Sequence, residues 1–530
     1  MKMRQLRIHN YRSIKDLTIQ VPDMLVLVGP NNSGKSNILR AIEFGLSASA
    51  KPNPEDFFSF RSEDELWVEM TFDRLTEQEE STFREYLSDD KTIRIQKIAK
   101  LGEDGKIEIE YKGHVQKSDH WQTIPKNTIG GGGLPEFLLI PAVRELSKEL
   151  ETRTTAFFGR ILRLAMKIIV EQEEDSQEED SSEATEQIRK ILSKKSGALA
   201  WLEEKLNSRL GSWNTKVKIN ITPLDIEKLL ELSTQLHLDD GVETPPERKG
   251  HGLQRAVLFE LVRVWAESLG LSGASTRRRV PDSVFFAIEE PEIFLHPHAQ
   301  RQLMASLVDI AKDKNYQVFI STHSTHFIDL EDYGRIAILT KPSPEEGTQV
   351  KQCTQNLFTG QDAENRKRRF HMAAWVNPDR SELFFAQKVV LVEGETEKAV
   401  LPFLAKKLGC FDPAVSVIDC GSKGNLPLYI QILNAFGIHY FVLHDEDSKY
   451  DKLNQEIQRL VDKNLGEVEV LSPNFHKVAG ISRKQAEKKG NALAALDHFD
   501  QMDVKDIPER IANIVQKAYR VRRETENEPQ

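Results

Sequence analysis

Cysteine is scarce. Cys353, Cys410 and Cys420 are the only three among 530 residues, and no two of them stand at a metal-ligand spacing. That argues against a disulfide scaffold or a paired-cysteine zinc site and points to a reducing, cytoplasmic setting. Long apolar runs are missing too: none approaches the ~20 residues that span a bilayer, so no membrane partner is expected. The opening "MKMRQLRIHNYRSIKDLTI" alternates polar and apolar residues, which reads as a strand and not as a signal peptide. No internal repeat is found. A chain of 530 residues is too long for one ordinary core, and two to four domains are expected.

An overall basic excess is absent as well, since the net charge is −10. Residues 171–186, "EQEEDSQEEDSSEATE", hold nine acids and no base and account for most of it. The remainder is near neutral, which leaves nucleic acid admissible as a partner. The run "NRKRRFH" gathers Arg366, Lys367, Arg368 and Arg369, either as a solvated helix face or as a contact to DNA phosphates.

What is present begins with "MLVLVGPNNSGKSNILRAIEFGL", a short apolar strand, a glycine loop and an amphipathic helix. "GPNNSGKS" fits the phosphate-loop pattern from Gly29 to Ser36. Gly29, Asn32, Ser33 and Gly34 let backbone N–H groups face phosphate oxygens at a helix start. Lys35 reaches the β- and γ-phosphates of ATP, and Ser36 ligates Mg²⁺. Such a loop needs an acid at the end of a neighbouring strand, and "VFFAIEEPE" supplies two. Glu289 is expected to hold the magnesium through water, and Glu290 to orient or deprotonate the attacking water. One strand later "VFISTHS" places His323 where it meets the γ-phosphate.

A second acidic cluster follows some 360 residues after the loop. "KVVLVEGETE" is a strand that ends in Glu393, with Glu397 four residues on. "VSVIDCGSKGN" and "HYFVLHDED" then bring a glycine turn and a strand ending in Asp445 and Asp447. Strands and helices alternate from 389 to 445, so parallel strands are expected to carry Glu393, Asp445 and Asp447 to one edge. Carboxylates so gathered repel unless a hard divalent cation neutralises them. The expected ligands are therefore Mg²⁺ or Mn²⁺, in a two-metal arrangement with Glu397 supporting the second ion.

The first set of motifs resembles the ATP-binding heads of the ABC, SMC and RecF class. In that class a signature loop lies between the P-loop and the second acid. Here "KGHGLQRA", residues 249–256, takes that place, and the resemblance assigns Gly252 to nucleotide. The usual serine is absent from it, and Glu289 stands where aspartate is commoner. The resemblance implies a head-to-head homodimer or higher homo-oligomer with ATP between subunits. Arg144 in "IPAVRE" resembles a residue that senses nucleotide or the other subunit.

The order glutamate, glycine turn, Asp-x-Asp is that of the Toprim domain. A P-loop head followed by a Toprim resembles the OLD (overcoming lysogenization defect) family of nucleases over nearly the whole chain. "RSELFFAQKVVLVEGETEKAVLP" matches its junction, and "LSPNFHKVAG" and "EKKGNALAAL" its later motifs. The family's cleavage lysine falls on Lys488, with Lys489 adjacent, and His476 stands where relatives often carry an acid.

The expected fold class is α/β: an ABC/SMC/RecF-like head with a helical dimerisation insertion, plus a C-terminal Toprim. The expected boundaries are 1–146 and 214–365 for the head, 147–213 for the insertion, 366–385 for a linker helix and 386–530 for the Toprim. The implied function is an ATP-regulated, metal-dependent DNA endonuclease in antiphage defence, with a helicase-like or reverse-transcriptase-like protein as a further partner. The rivals are a RecF- or SMC-like DNA-binding machine with a non-catalytic Toprim, and a topoisomerase or primase.

Overall fold

The computed structural model describes residues 1–60, 64–102, 106–129, 133–142, 236–254, 283–330, 332–358, 378–446, 451–481 and 491–521, with a few single positions between them. The chain divides into two compact units, Met1–Ala142 with Val280–Gln530, and Val143–Arg279.

The first unit opens with β1 (Lys2–Tyr11), β2 (Ile14–Gln20), β3 (Met24–Val28) and helix α1 (Lys35–Leu46). Then come β4 (Leu66–Asp73), β5 (Ile93–Leu101), β6 (Ile107–Val115), β7 (His120–Thr123) and β8 (Glu136–Ile140). Six of these strands pair in the order β2-β1-β4-β5-β6-β7, every neighbour antiparallel. The alternation in β4 shows why: Leu66, Val68, Met70 and Phe72 lie on one face and are fully buried.

The second unit contains, among its described residues, the strand pair β9 (Leu238–Asp239) and β10 (Glu243–Thr244), followed by a 3-10 turn at Pro246–Arg248.

Back in the first unit come β11 (Val284–Glu289), helix α2 (Pro297–Lys312), β12 (Tyr316–Ser321), β13 (Ile336–Thr340) and β14 (Gln349–Gln352). With β3 and β8 they form a sheet of order β14-β13-β3-β12-β11-β8, parallel except for β14 at its edge. Its strands β3, β11 and β12 are mostly apolar without alternation and buried throughout, as expected when both faces are covered. Ile38, Leu39 and Ile42 of α1 join residues from both sheets in one apolar cluster. Lys97 of β5 is fully buried and donates to the carbonyls of Phe44, Ser47 and Ala50 at 2.9, 2.8 and 2.8 Å. It thereby satisfies carbonyls at the C-terminal end of the P-loop helix.

The C-terminal part of the same unit is β15 (Lys388–Val392), α3 (Glu395–Lys407), β16 (Val415–Asp419), α4 (Leu426–Phe436), β17 (His439–Asp445), α5 (Asp451–Leu460), β18 (Gly466–Leu471), α6 (Asn491–Asp500) and α7 (Glu509–Tyr519). Its strands lie in the order β16-β15-β17-β18, all parallel. A second apolar cluster forms around Val390, Leu401, Phe441, Phe499 and Val515. The strand–helix alternation read from 389 to 445 is the one observed. The expected helical hairpin at 147–213 and strand "KVKINIT" lie outside the described residues. No helix among the described residues is long and apolar enough to cross a membrane.

Candidate functional site

Parallel strands end on one side of a sheet, so whatever follows their last apolar residue is gathered there. At the first such edge β3 ends in Val28 and the loop from Gly29 to Gly34 turns into α1. Gly29 and Gly34 adopt φ of 149° and 105°, and a Cβ at Gly34 would overlap the Thr348 side chain, so this loop requires glycine. Asn32 also has a positive φ, of 64°. Ser33 is buried, and its hydroxyl has no hydrogen-bond partner. Such an orphan fits a site whose missing partner is a phosphate oxygen. Ser36, one residue into the helix, is exposed.

The Lys35 ammonium is folded back onto its own loop, donating to the carbonyls of Gly29 at 2.9 Å and Pro30 at 3.1 Å. It also meets His323 Nε2 at 2.9 Å. An ammonium only donates, so Nε2 accepts and the imidazole is neutral. Burial, and then the charge of Lys35, pushes the His323 pKa below its usual value. Burial likewise lowers that of Lys35, against the opposing pull of Glu290 and Glu292.

The acids sit as the strand order requires. Glu289 ends β11, is buried, and accepts from the Ala142 amide at 3.4 Å. Glu290 turns the chain at a φ of 45° and stands 3.8 Å from His323 Nε2. Sequence reasoning passed over Glu292. Its carboxylate accepts from Thr322 Oγ1 at 2.8 Å and from the His323 amide at 2.6 Å, which locks the histidine turn. The only signal was its place in "EEPE". Lys35, Glu290 and His323 are thus brought together around one position. Gly252 belongs to the second unit, in a helical turn that Gln254 pins by donating to the carbonyls of Pro246 at 2.7 Å and Lys249 at 2.8 Å. Arg144 lies outside the described residues.

At the second edge β15 ends in Val392 and Glu393 follows. Glu393 Oε1 accepts from the Asp445 amide at 2.8 Å, and Asp445 Oδ1 accepts from the Phe475 amide at 2.8 Å. Lys423 is buried, donates to the Asp445 carbonyl and lies 3.9 Å from Glu393 Oε1. The lysine stood in view within "DCGSKGN" but was read only as part of a glycine turn. Glu397, in the first turn of α3, is half-buried. Its pKa is pushed up to about 7 by burial and by the charges of Asp445 and Glu393. Asp447 and Lys488 lie outside the described residues, as does Lys489.

Among the described residues no three His, Cys, Asp or Glu side chains stand as one metal-holding group. Glu393 and Asp445 instead spend oxygens on main-chain amides. The donor chemistry nonetheless fits a hard cation: Glu393, Glu397 and Asp445 offer only oxygen, and the charges of Asp445 and Glu393 add to burial in disfavouring a charged Glu397, a cost that a divalent ion would offset.

A P-loop ATPase head on the same chain as a C-terminal Toprim whose acids share one sheet edge is the class these features define. The chain belongs to the AAA ATPase domain family, whose model matches residues 1–328, and residues 384–447 match the overcoming lysogenization defect protein-like TOPRIM domain. It is 23% identical to the OLD nuclease of Thermus scotoductus, covering 92% of this chain and 93% of that protein. It is 25% identical to the Old nuclease of Escherichia phage P2, covering 84% and 77%. It is also 21% identical to the endonuclease GajA of Bacillus cereus, covering 92% and 84%.

Proposed function

We propose that this chain is an ATPase-linked nuclease that cleaves DNA phosphodiester bonds at the acidic edge, under control of nucleotide bound at the P-loop. The observation that carries the reading is one chain holding two parallel-sheet edges of opposite chemistry, an anion cradle at Lys35 and a carboxylate pair at Glu393 and Asp445. Mg²⁺ or Mn²⁺ is the proposed cofactor of the second edge, held by Glu393, Glu397 and Asp445 with Asp447. When bound, such ions supply a water of lowered pKa and neutralise charge on the cleaved phosphate.

The chain's own residues act as follows. Lys35 leaves the Gly29 and Pro30 carbonyls for the phosphates, Ser33 gives its hydroxyl a partner, and the backbone N–H groups of 31–35 cradle the anion. His323, released from Lys35, has Nε2 free to accept from the attacking water or to meet the γ-phosphate. Glu290 orients that water, while Glu292 keeps the histidine amide fixed. At the other edge Glu393 and Asp445 are held by main-chain bonds, and Lys488 is the proposed lysine of the cleavage step. A homodimer that closes on ATP and a role in defence against phage complete the proposal, supported by the family relationship.

Purified protein is incubated with supercoiled and linear plasmid and Mg²⁺ or Mn²⁺, with and without ATP, beside Asp445→Ala. Nicks or breaks that the variant lacks are the expected result. DNA-stimulated ATP hydrolysis with no cleavage under any condition would favour a DNA-binding machine with a non-catalytic Toprim.

A further inference from the structure

We infer that Arg380 is a positioning residue that couples the nucleotide edge to the acidic edge. The inference rests on the reading of the two edges given above and names the route between them. Residues Pro378–Phe384 form a 3-10 helix that packs on one side against the turn Thr325–Phe327 and on the other against β16. Both neighbours lead to an edge. Thr325–Phe327 begins two residues after His323, and β16 ends at Asp419, four residues before Lys423.

The junction is buried and directional. Arg380 and Ser381 are each 4% exposed. Arg380 Nε donates to the Asp419 carbonyl at 2.6 Å, and Nη2 to Asp419 Oδ1 at 2.7 Å. Lys398 of α3 stands 3.5 Å from the other Asp419 oxygen, so both carboxylate oxygens are engaged. Gly421 adopts a φ of 75°, and a Cβ there would lie 2.9 Å from Arg380 Nη2. The turn after β16 is therefore closely approached by the guanidinium at a position that favours glycine. That turn carries Lys423 to the Asp445 carbonyl and Glu393. On the nucleotide side Ser381 Oγ donates to the Ile328 carbonyl at 3.5 Å.

A buried fork with two parallel donors is stiff in both distance and direction, and packed interiors pass displacements on instead of absorbing them. Phosphate binding requires Lys35 to leave His323 Nε2, which releases the histidine side chain while its amide stays on Glu292, so a change of ring position is passed to the residues that follow. The 3-10 helix touches both this turn and β16. Movement at His323 thus reaches the Asp419–Lys423 turn through Arg380, and Lys423 sets the carbonyl and carboxylate it braces.

The test is hydrogen exchange of residues 419–425 in the full chain, with and without a non-hydrolysable ATP analogue, in wild type, Arg380→Lys and Ser381→Ala. Plasmid cleavage and ATP hydrolysis are measured on the same preparations. The analogue should change wild-type exchange by about threefold or more. Arg380→Lys keeps the charge but loses the fork, and the response should vanish while ATP hydrolysis persists. Ser381→Ala, which leaves the fork intact and should fold like wild type, should show a reduced response. No response in wild type, or a full response in both variants, overturns the inference. A wild type that responds but does not cleave keeps the coupling and removes the nuclease reading, so the two failures are distinct.

Discussion

The two sheet edges of this chain share an architecture and differ in sign. In each, a strand of five residues, Met24–Val28 or Lys388–Val392, apolar and buried apart from the leading lysine of the second, runs parallel between parallel neighbours and leads through a short connection into a helix. After Val28 comes glycine, and the loop offers N–H groups and an ammonium to an anion. After Val392 comes glutamate, and the edge collects carboxylates that call for a cation. A parallel sheet delivers residues to one place without deciding what they do there. The choice is made in the few positions past the strand, and this chain carries both kinds of edge.

The largest expected effects come from removing each sign. Glu393→Gln or Asp445→Asn should lower plasmid cleavage by about a thousandfold or more, as loss of a group acting in a unit does, with ATP hydrolysis retained. Lys35→Ala should weaken ATP binding roughly 10- to 100-fold, the value of charge-assisted bonds to phosphate, measured by titration calorimetry. Metal-dependent cleavage without ATP should survive that change. If either substitution silences both activities, the two edges do not work as separate sites.

A smaller effect probes the support of the nucleotide edge alone. Lys97→Met removes the donor to the carbonyls of Phe44 and Ala50 at and just past the end of α1, while that of Ser47 keeps Tyr111. A loss of about 2–3 kcal/mol is expected in denaturant unfolding, from buried acceptors left unmade. ATP binding should weaken with it, while the acidic edge, built on a different apolar cluster, keeps its metal affinity.

The smallest effect concerns the acids without metal. Glu397 has its pKa raised to about 7 from an ordinary 4.5, so the fold favours its protonated form. The stability this contributes is full below the ordinary value and is lost as pH rises through about 7. Metal-free wild type should therefore melt at a lower temperature near pH 8 than near pH 5, and Glu397→Gln should flatten that difference. Saturating Mg²⁺ or Mn²⁺ should flatten it too, because a bound cation stabilises the charged form.

Much of both edges was legible because it is local. A glycine loop, an apolar strand ending in Glu289, and Glu393 or Asp445 closing a strand are visible within ten residues of sequence. What escaped is non-local. Glu292 binds Thr322 across 30 residues, Arg380 binds Asp419 across 39, and Lys97 reaches the end of α1 from 53 to 47 residues away. No spacing rule announces such pairs, since they exist only once strands are side by side. Buried basic residues are the common thread: Lys97, Arg380 and Lys423 each satisfy main-chain carbonyls, a demand that arises from the fold and leaves no local pattern. The position of Gly252 relative to the P-loop was expected from resemblance alone, and that expectation remains a proposal.

The central claim, two edges of opposite sign on one chain, is tested most directly by calorimetric titration of Mn²⁺ and of ATP into wild type, Lys35→Ala and Glu393→Gln. Lys35→Ala should bind ATP roughly 10- to 100-fold more weakly and keep the metal that binds without nucleotide. Glu393→Gln should lose that metal and keep ATP. A Glu393→Gln protein that binds Mn²⁺ as wild type does in the absence of ATP would contradict the account.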